Sequence, residues 1–68
     1  MVNITKLKEL MNSYGWNMPQ FARILEIDYS YLYRIMQGQR QPGKKFYESF
    51  IKLCNKEDLN LYDYLNLE

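Results

Sequence analysis

The stretch "NMPQFARILEIDYSYLYRIMQGQRQP", residues 17–42, decides the fold that the sequence predicts. It opens with Asn17 and, three residues later, Gln20, a capping pattern that starts a helix. Pro19 agrees with this prediction, because proline is tolerated in the first turn of a helix and not further in. Ala22 lets a neighbouring element approach closely. Three apolar residues form the inward face of this helix: Phe21, Ile24 and Leu25.

A second helix follows after a gap of three residues, Glu26-Ile27-Asp28. Asp28 is a good N-cap, because its carboxylate accepts backbone N–H groups at the positive end of a helix. Gly38 ends this helix. Its inward stripe, with Tyr31 at the edge, consists of Leu32, Ile35 and Met36. Two short helices joined by so tight a turn predict a helix-turn-helix unit.

Helical spacing of apolar residues extends to both sides of this unit. Ile4 to Tyr14 forms a first helix, which Gly15 ends in a left-handed cap. After the loop at residues 42–43, the apolar face of a fourth helix contains Phe46, Tyr47, Phe50, Ile51, Leu53 and Cys54. Asn60 then opens a last short helix, LYDYL. No β-strand alternation competes, so the sequence predicts an all-α fold of five helices.

At 68 residues the chain predicts a single domain over 1–68, held by apolar packing because 47% of its residues are hydrophobic. Cys54 is the only cysteine and histidine is absent, which excludes a disulfide scaffold and a structural zinc site. Clustered carboxylates, a glycine-rich phosphate loop and a nucleophile beside a base are also missing from the sequence. We therefore expect no enzyme activity, no catalytic residue, no metal and no cofactor.

The net charge is only +1, but its distribution along the chain is uneven. Residues 1–45 carry seven Lys or Arg against three acids, whereas residues 46–68 carry two against five. This asymmetry predicts one basic face. No apolar run approaches the roughly 20 residues of a membrane span, and the first ten residues lack the apolar centre of a signal peptide. We expect no membrane contact and a cytoplasmic, nucleoid-associated location.

The buried stripe of the third helix leaves a polar and aromatic face pointing outward. Arg can bond bidentately to guanine, Ser can bond several bases, and Tyr can bond base edges or pack on a thymine methyl group. The candidate base-contacting residues on this face are Tyr29, Ser30, Tyr33 and Arg34. Candidate donors to DNA phosphates continue along the helix and the following loop: Gln37, Gln39, Arg40, Lys44 and Lys45.

In their order and spacing these residues resemble the Cro/CI-type helix-turn-helix family of phage repressors and small bacterial regulators. The segments that carry the resemblance are Trp16-Asn17, Phe21-Ala22, Leu25–Asp28, Leu32–Ile35 and Gly38–Pro42, followed by Leu59–Leu65. The resemblance implies a compact bundle of the lambda-repressor type whose third helix, about residues 28–37, enters the major groove. It also implies phosphate contacts through the side chains and amides of Asn17 and Gln20.

Two residues depart from the family's pattern. Met18 stands where many relatives have a Gln that braces the DNA backbone, which puts one expected phosphate contact in question. Glu26 stands where Gly usually makes the left-handed turn, at a conformational cost of order 1 kcal/mol. Its carboxylate near DNA is also mildly repulsive. Both departures predict weaker DNA affinity, not a different fold.

The sequence therefore predicts a transcriptional regulator that binds double-stranded operator DNA in a sequence-specific way. The C-terminal segment has two alternative roles: it closes the core of a single domain, or it forms a homodimer surface, since a single small domain reads few base pairs. In that segment Leu61, Tyr64 and Leu65 are predicted to point inward, and Tyr62 to face the partner. A bacterial or phage source fits the richness in Asn, Lys, Ile and Tyr.

The alternative function is a protein-interaction module on the same fold, an antitoxin or anti-repressor with weak or no DNA specificity of its own. Its essential surface would bind a regulatory protein partner. The acidic, aromatic C-terminal third of the chain and the small net charge favour this alternative.

Overall fold

The computed structural model describes residues 1–66, and every regular element in that range is helical. The elements follow each other as α1 (Ile4–Tyr14), α2 (Met18–Leu25), α3 (Tyr29–Met36), α4 (Lys44–Glu57) and a 3-10 helix (Leu61–Tyr64). Over these residues no β-strand forms, and the prediction of an all-α fold is confirmed.

The prediction of a fifth α-helix at LYDYL is wrong, because this segment forms a single 3-10 turn. The Asn60 side chain accepts a hydrogen bond from Tyr62 N, and Leu65 N donates to the Tyr62 carbonyl only three residues back, at 3.3 Å. Leu65 is then extended and forms an isolated antiparallel bridge with Val2. Backbone pairing between the two ends of the described chain therefore stops the helical turn.

The predicted start and stop signals of the first three helices act as expected. Asn17 Oδ1 accepts a hydrogen bond from Gln20 N at 2.9 Å, and Asn17 N donates to Gln20 Oε1 at 2.9 Å, so the capping box is complete. Asp28 Oδ2 accepts from Tyr31 N and caps α3. Gly15 follows α1 with φ of 70°, in the left-handed region.

The core contains residues of all four α-helices; α2 contacts α3 and α4, and α1 packs against the 3-10 helix. Its largest side chains with almost no exposed surface are Phe21, Phe46, Phe50, Leu7, Leu25, Leu32 and Ile35. The radius of gyration is 10.9 Å, close to the value of about 11 Å for a folded chain of this length. The chain is therefore compact over its described residues.

Two predicted inward residues, Ile24 and Ile51, are instead exposed, at 38% and 41%. Each lies roughly 110° around its helix from the centre of the buried face, given about 100° of rotation per residue. On α2 the small side chain of Ala22 completes the buried face in place of Ile24. In the C-terminal segment Leu61, Tyr64 and Leu65 are half-buried, as predicted, and Tyr62 is 66% exposed.

The turn between α2 and α3 depends on a left-handed residue that is not glycine. Glu26 has φ of 57° and ψ of 40°, and its N–H donates back to the Arg23 carbonyl at 3.1 Å. Asp58 ends α4 in the same way, with φ of 56°, which the sequence did not predict. Because an L-residue in this region crowds its Cβ against the backbone, both positions store conformational energy.

Replacing Glu26 by Gly is expected to stabilise the protein by about 0.5–1 kcal/mol. Relief of the left-handed strain, about 1–2 kcal/mol, outweighs the extra unfolded-state entropy of glycine, about 0.4–1 kcal/mol. Urea denaturation followed by the fluorescence of Trp16, the only tryptophan, measures the change. Glu26→Gln is the matched control, because it removes the charge and keeps the Cβ. Equal stabilisation by both variants would mean that the charge, not the backbone conformation, is unfavourable.

Candidate nucleic-acid interface

The outward face of α3 is fixed by what the helix buries. Its three buried side chains are Leu32, Ile35 and Met36. The four candidate base-contacting residues consequently lie on exposed positions of the same helix: Tyr29, Ser30, Tyr33 and Arg34. The sequence prediction of a polar, aromatic outer face on this helix is confirmed in its exposure.

The two tyrosines on this face form a stacked pair. The ring centroids of Tyr29 and Tyr33 are 6.1 Å apart with an interplanar angle of 27°. Because the residues are four positions apart, the helix places one ring above the other. They remain 46% and 43% exposed, so both residues are accessible to a ligand.

The arginines near α3 keep their donors free. Among residues 1–66 the ion pairs within 4.0 Å are Lys6–Glu9 and Lys44–Glu48, and both are on exposed surface. Arg34 and Arg40 thus have no carboxylate partner within the described part of the chain. An unpaired guanidinium retains its full positive charge and five N–H donors for a phosphate or a base edge.

The loop after α3 is held in a defined conformation by backbone hydrogen bonds. Gly38 has φ of 74°, and Gln39 N donates to the Arg34 carbonyl at 2.9 Å. This closed turn directs the chain away from α3 while keeping the side chains of Gln37, Gln39 and Arg40 exposed. The loop is therefore an ordered extension of the α3 surface.

Tyr31 connects this loop to α3 in two ways. Its hydroxyl oxygen accepts a hydrogen bond from Gly43 N at 2.9 Å, although the two residues are twelve positions apart. The guanidinium carbon of Arg40 lies 4.8 Å from the centroid of the Tyr31 ring, within cation–π distance. The sequence placed Tyr31 only at the edge of the core, and this bridging contact was missed because it depends on where α4 begins.

Three of the predicted phosphate donors are brought together by this arrangement. Arg40, Lys44 and Lys45 line a shallow depression of about 340 Å³, whose other walls are Asp28, Tyr31 and Gly43. Three cations against one carboxylate make the depression electropositive, which favours an anionic ligand. Lys44 also reaches Glu48 at 4.0 Å, a pair too exposed to neutralise it strongly.

Asn17 and Gln20 lie at the start of α2, on exposed positions, and are engaged mainly with each other. Their backbone N–H groups and side-chain oxygens are all used in the capping box. What remains for a ligand is the side-chain NH₂ group of each residue, which has two donors. Because both backbone N–H groups are already used, neither residue has one free for the expected phosphate contact.

Met18 is half-buried and packs against the core, so it offers no polar group at the place where a bracing Gln was expected. Arg23 was not predicted as a site residue, yet it lines a shallow groove between α2 and α3 together with Tyr29 and Pro19. Arg23 directly follows the buried Ala22 on α2, so the helical spacing of the apolar residues could have identified Arg23 as exposed.

Cys54 lies in the core, where burial raises the pKa of its thiol. The thiol is protonated at neutral pH and is a poor nucleophile.

Within residues 1–66, no three His, Cys, Asp or Glu side chains are grouped so that they could hold a metal ion. Over the same residues, none of the helices has both the length and the apolar content that crossing a membrane requires.

Asn17→Ala is expected to destabilise the protein by about 1 kcal/mol, because it removes the cap of α2. Asn17→Asp keeps an acceptor oxygen at the same position and is expected to leave stability within about 0.5 kcal/mol of the parent. Urea denaturation followed by Trp16 fluorescence compares them. A similar loss in both variants would show that the NH₂ group of Asn17, and not its oxygen, supports the fold.

Comparison with known proteins found no matching family model, no matching curated protein and no matching solved structure. What this chain binds must therefore be inferred from its own residues and their geometry.

Proposed function

We propose that this protein is a transcriptional regulator that binds double-stranded operator DNA, with α2 and α3 acting as a helix-turn-helix of the lambda-repressor type. The observation that carries the proposal is the exposed face of α3, which has an ordered basic loop continuing from its end. The base-contacting residues on that face are Tyr29, Ser30, Tyr33 and Arg34.

The dimensions of α3 suit the major groove. An α-helix with its side chains is about 10–12 Å across, and the major groove, about 12 Å wide, admits one. Arg34 supplies a bidentate donor for guanine, Ser30 a small hydroxyl, and the stacked Tyr29–Tyr33 pair an apolar surface with two hydroxyls for thymine methyl groups and base edges.

Phosphate contacts flank this face on both sides. The electropositive depression of Arg40, Lys44 and Lys45 meets one stretch of backbone, assisted by Gln37 and Gln39. The side-chain NH₂ groups of Asn17 and Gln20, at the start of α2, contact a second stretch of the DNA backbone. These contacts fix the register of α3, and the base contacts supply the sequence preference.

The regulator acts as a homodimer in this proposal, because two copies related by a two-fold axis read two half-sites. Tyr62, 66% exposed beside the paired ends of the chain, is the residue proposed to face the second copy. No metal, cofactor or chemical step is required. The location is the cytoplasm, on the nucleoid of a bacterium or the DNA of its phage.

A second candidate function is a protein-interaction module, an antitoxin or anti-repressor. The observation in its favour is apolar surface away from α3: Ile24, Ile51 and Tyr62 are exposed at 38%, 41% and 66%. Such side chains supply apolar anchor contacts at protein interfaces. The two candidates differ in whether α3 or these residues carry the essential contact.

Arg34→Ala is expected to weaken binding to a selected operator duplex by about 1–3 kcal/mol and to relax the base preference at one position. Lys52→Ala is the matched control, because it removes one exposed positive charge from α4 to which the proposed function assigns no DNA contact. Selection from random-sequence duplexes identifies the operator, and fluorescence anisotropy at several salt concentrations measures the dissociation constant of each variant.

Equal losses in the Arg34 and Lys52 variants would mean that Arg34 contributes only general charge attraction. Binding of the wild-type protein with no preference among duplexes, or no binding near ~50 mM salt, would favour the protein-interaction module. Ile24→Ser and Ile51→Ser would then be the next variants to test against candidate partners.

Tyr62→Ala is expected to shift the protein from dimer to monomer, because truncating an exposed aromatic anchor at an interface costs roughly 2 kcal/mol or more. Sedimentation equilibrium at several concentrations measures the dissociation constant of the dimer. Tyr33→Ala, which removes a 43% exposed tyrosine from α3, is the control, because association is measured without DNA. Identical association of wild type and the Tyr62 variant would exclude this residue from the interface.

A further inference from the structure

We propose that Tyr31 is the positioning residue of the phosphate-binding loop. Its ring holds the guanidinium of Arg40 in place, and its hydroxyl links the start of α4 to α3. The inference rests on the proposed function, since the ligand of the loop is DNA phosphate. Tyr31 itself faces away from the base-contacting residues, so its effect on binding is exerted through Arg40 and the loop.

The first contact is the stack of Arg40 on Tyr31. The guanidinium carbon lies 4.8 Å from the ring centroid, and Arg40 has no carboxylate partner within residues 1–66. A long, unpaired arginine on a loop would otherwise sample many rotamers, and ordering it on binding would cost free energy. Contact with a ring that α3 holds in place restricts the guanidinium before DNA arrives.

The second contact closes the loop. The Tyr31 hydroxyl accepts a hydrogen bond from Gly43 N at 2.9 Å, and Gly43 is the residue immediately before α4. A Cβ at position 43 would lie 3.3 Å from the same hydroxyl oxygen, so the approach is already tight with glycine there. This bond sets where Lys44 and Lys45 begin relative to α3.

The two contacts explain why one depression contains Arg40, Lys44 and Lys45 although two of these cations are on a helix and one is on a loop. Tyr31 is the shared neighbour: its ring orders the loop cation and its hydroxyl orders the helix start. The spacing of the phosphate contacts therefore depends on the position of α3, the helix proposed to contact the bases.

Tyr31→Phe separates the two contacts, because it keeps the ring and removes the hydroxyl. We expect faster hydrogen exchange of the Gly43 amide and about 2- to 10-fold weaker operator binding, the scale of one lost hydrogen bond. The slope of log K against the logarithm of the salt concentration is expected to stay at the wild-type value. Arg40 keeps its contact with the ring, and the number of phosphate contacts is unchanged.

Tyr31→Leu removes the aromatic ring that contacts Arg40 as well as the hydroxyl. We expect its salt slope to fall toward that of Arg40→Gln, which should be smaller than wild type by about 0.9, the value for one lost phosphate contact. In a double-mutant cycle, adding Arg40→Gln to Tyr31→Leu is expected to change affinity little, because the arginine has already lost its place.

Additive effects of Tyr31→Leu and Arg40→Gln, with a wild-type salt slope in Tyr31→Leu, would overturn the proposal and leave Tyr31 as a packing residue. An unchanged Gly43 exchange rate in Tyr31→Phe would overturn the hydroxyl contact without any use of DNA. If the wild-type protein prefers no duplex, the proposed function fails first, and the exchange rate alone still tests the tie to α4.

Discussion

The burial of α2 between α3 and α4 is the constraint on which the rest of the structure depends. Phe21 and Leu25, which have almost no exposed surface, fix the rotation of α2, and the capping box fixes where it starts. The left-handed residue Glu26 then makes the turn that leads into α3. Because Leu32 and Ile35 pack inward from there, the outward face of α3 has no alternative orientation.

The proposed interface uses interactions of two kinds that are spatially separate. Arg34 and the Tyr29–Tyr33 pair lie on α3, and in the proposed function small displacements of this helix would change the base contacts. Beside them, Arg40, Lys44 and Lys45 supply charge, whose attraction to phosphate depends less on exact orientation. The Tyr31 contacts join the two parts, so phosphate binding and base reading are expected to change together when Tyr31 is altered.

In the proposed function, the stability of the fold and the binding of DNA depend on some of the same residues. Asn17 and Gln20 satisfy the first turn of α2 with their side-chain oxygens, and only their NH₂ groups remain for a ligand. Glu26 keeps a strained conformation where glycine would cost less, and it adds a negative charge near the proposed phosphate contacts. Mutations at these positions therefore need a stability measurement beside every binding measurement.

Local sequence patterns predicted the end of α1 at Gly15, the start of α3 at Asp28, the capping box of α2 and the exposed face of α3. Each depends on residues within one turn of each other. The exposure of Ile24 and the burial of Ala22 depend instead on the packing of α2 against α3 and α4, which local spacing does not give. The tertiary structure also decided that LYDYL stops after one 3-10 turn, because Leu65 pairs with Val2 from the far end of the chain. The bond from Gly43 to Tyr31 spans twelve residues, and no local pattern could have shown it.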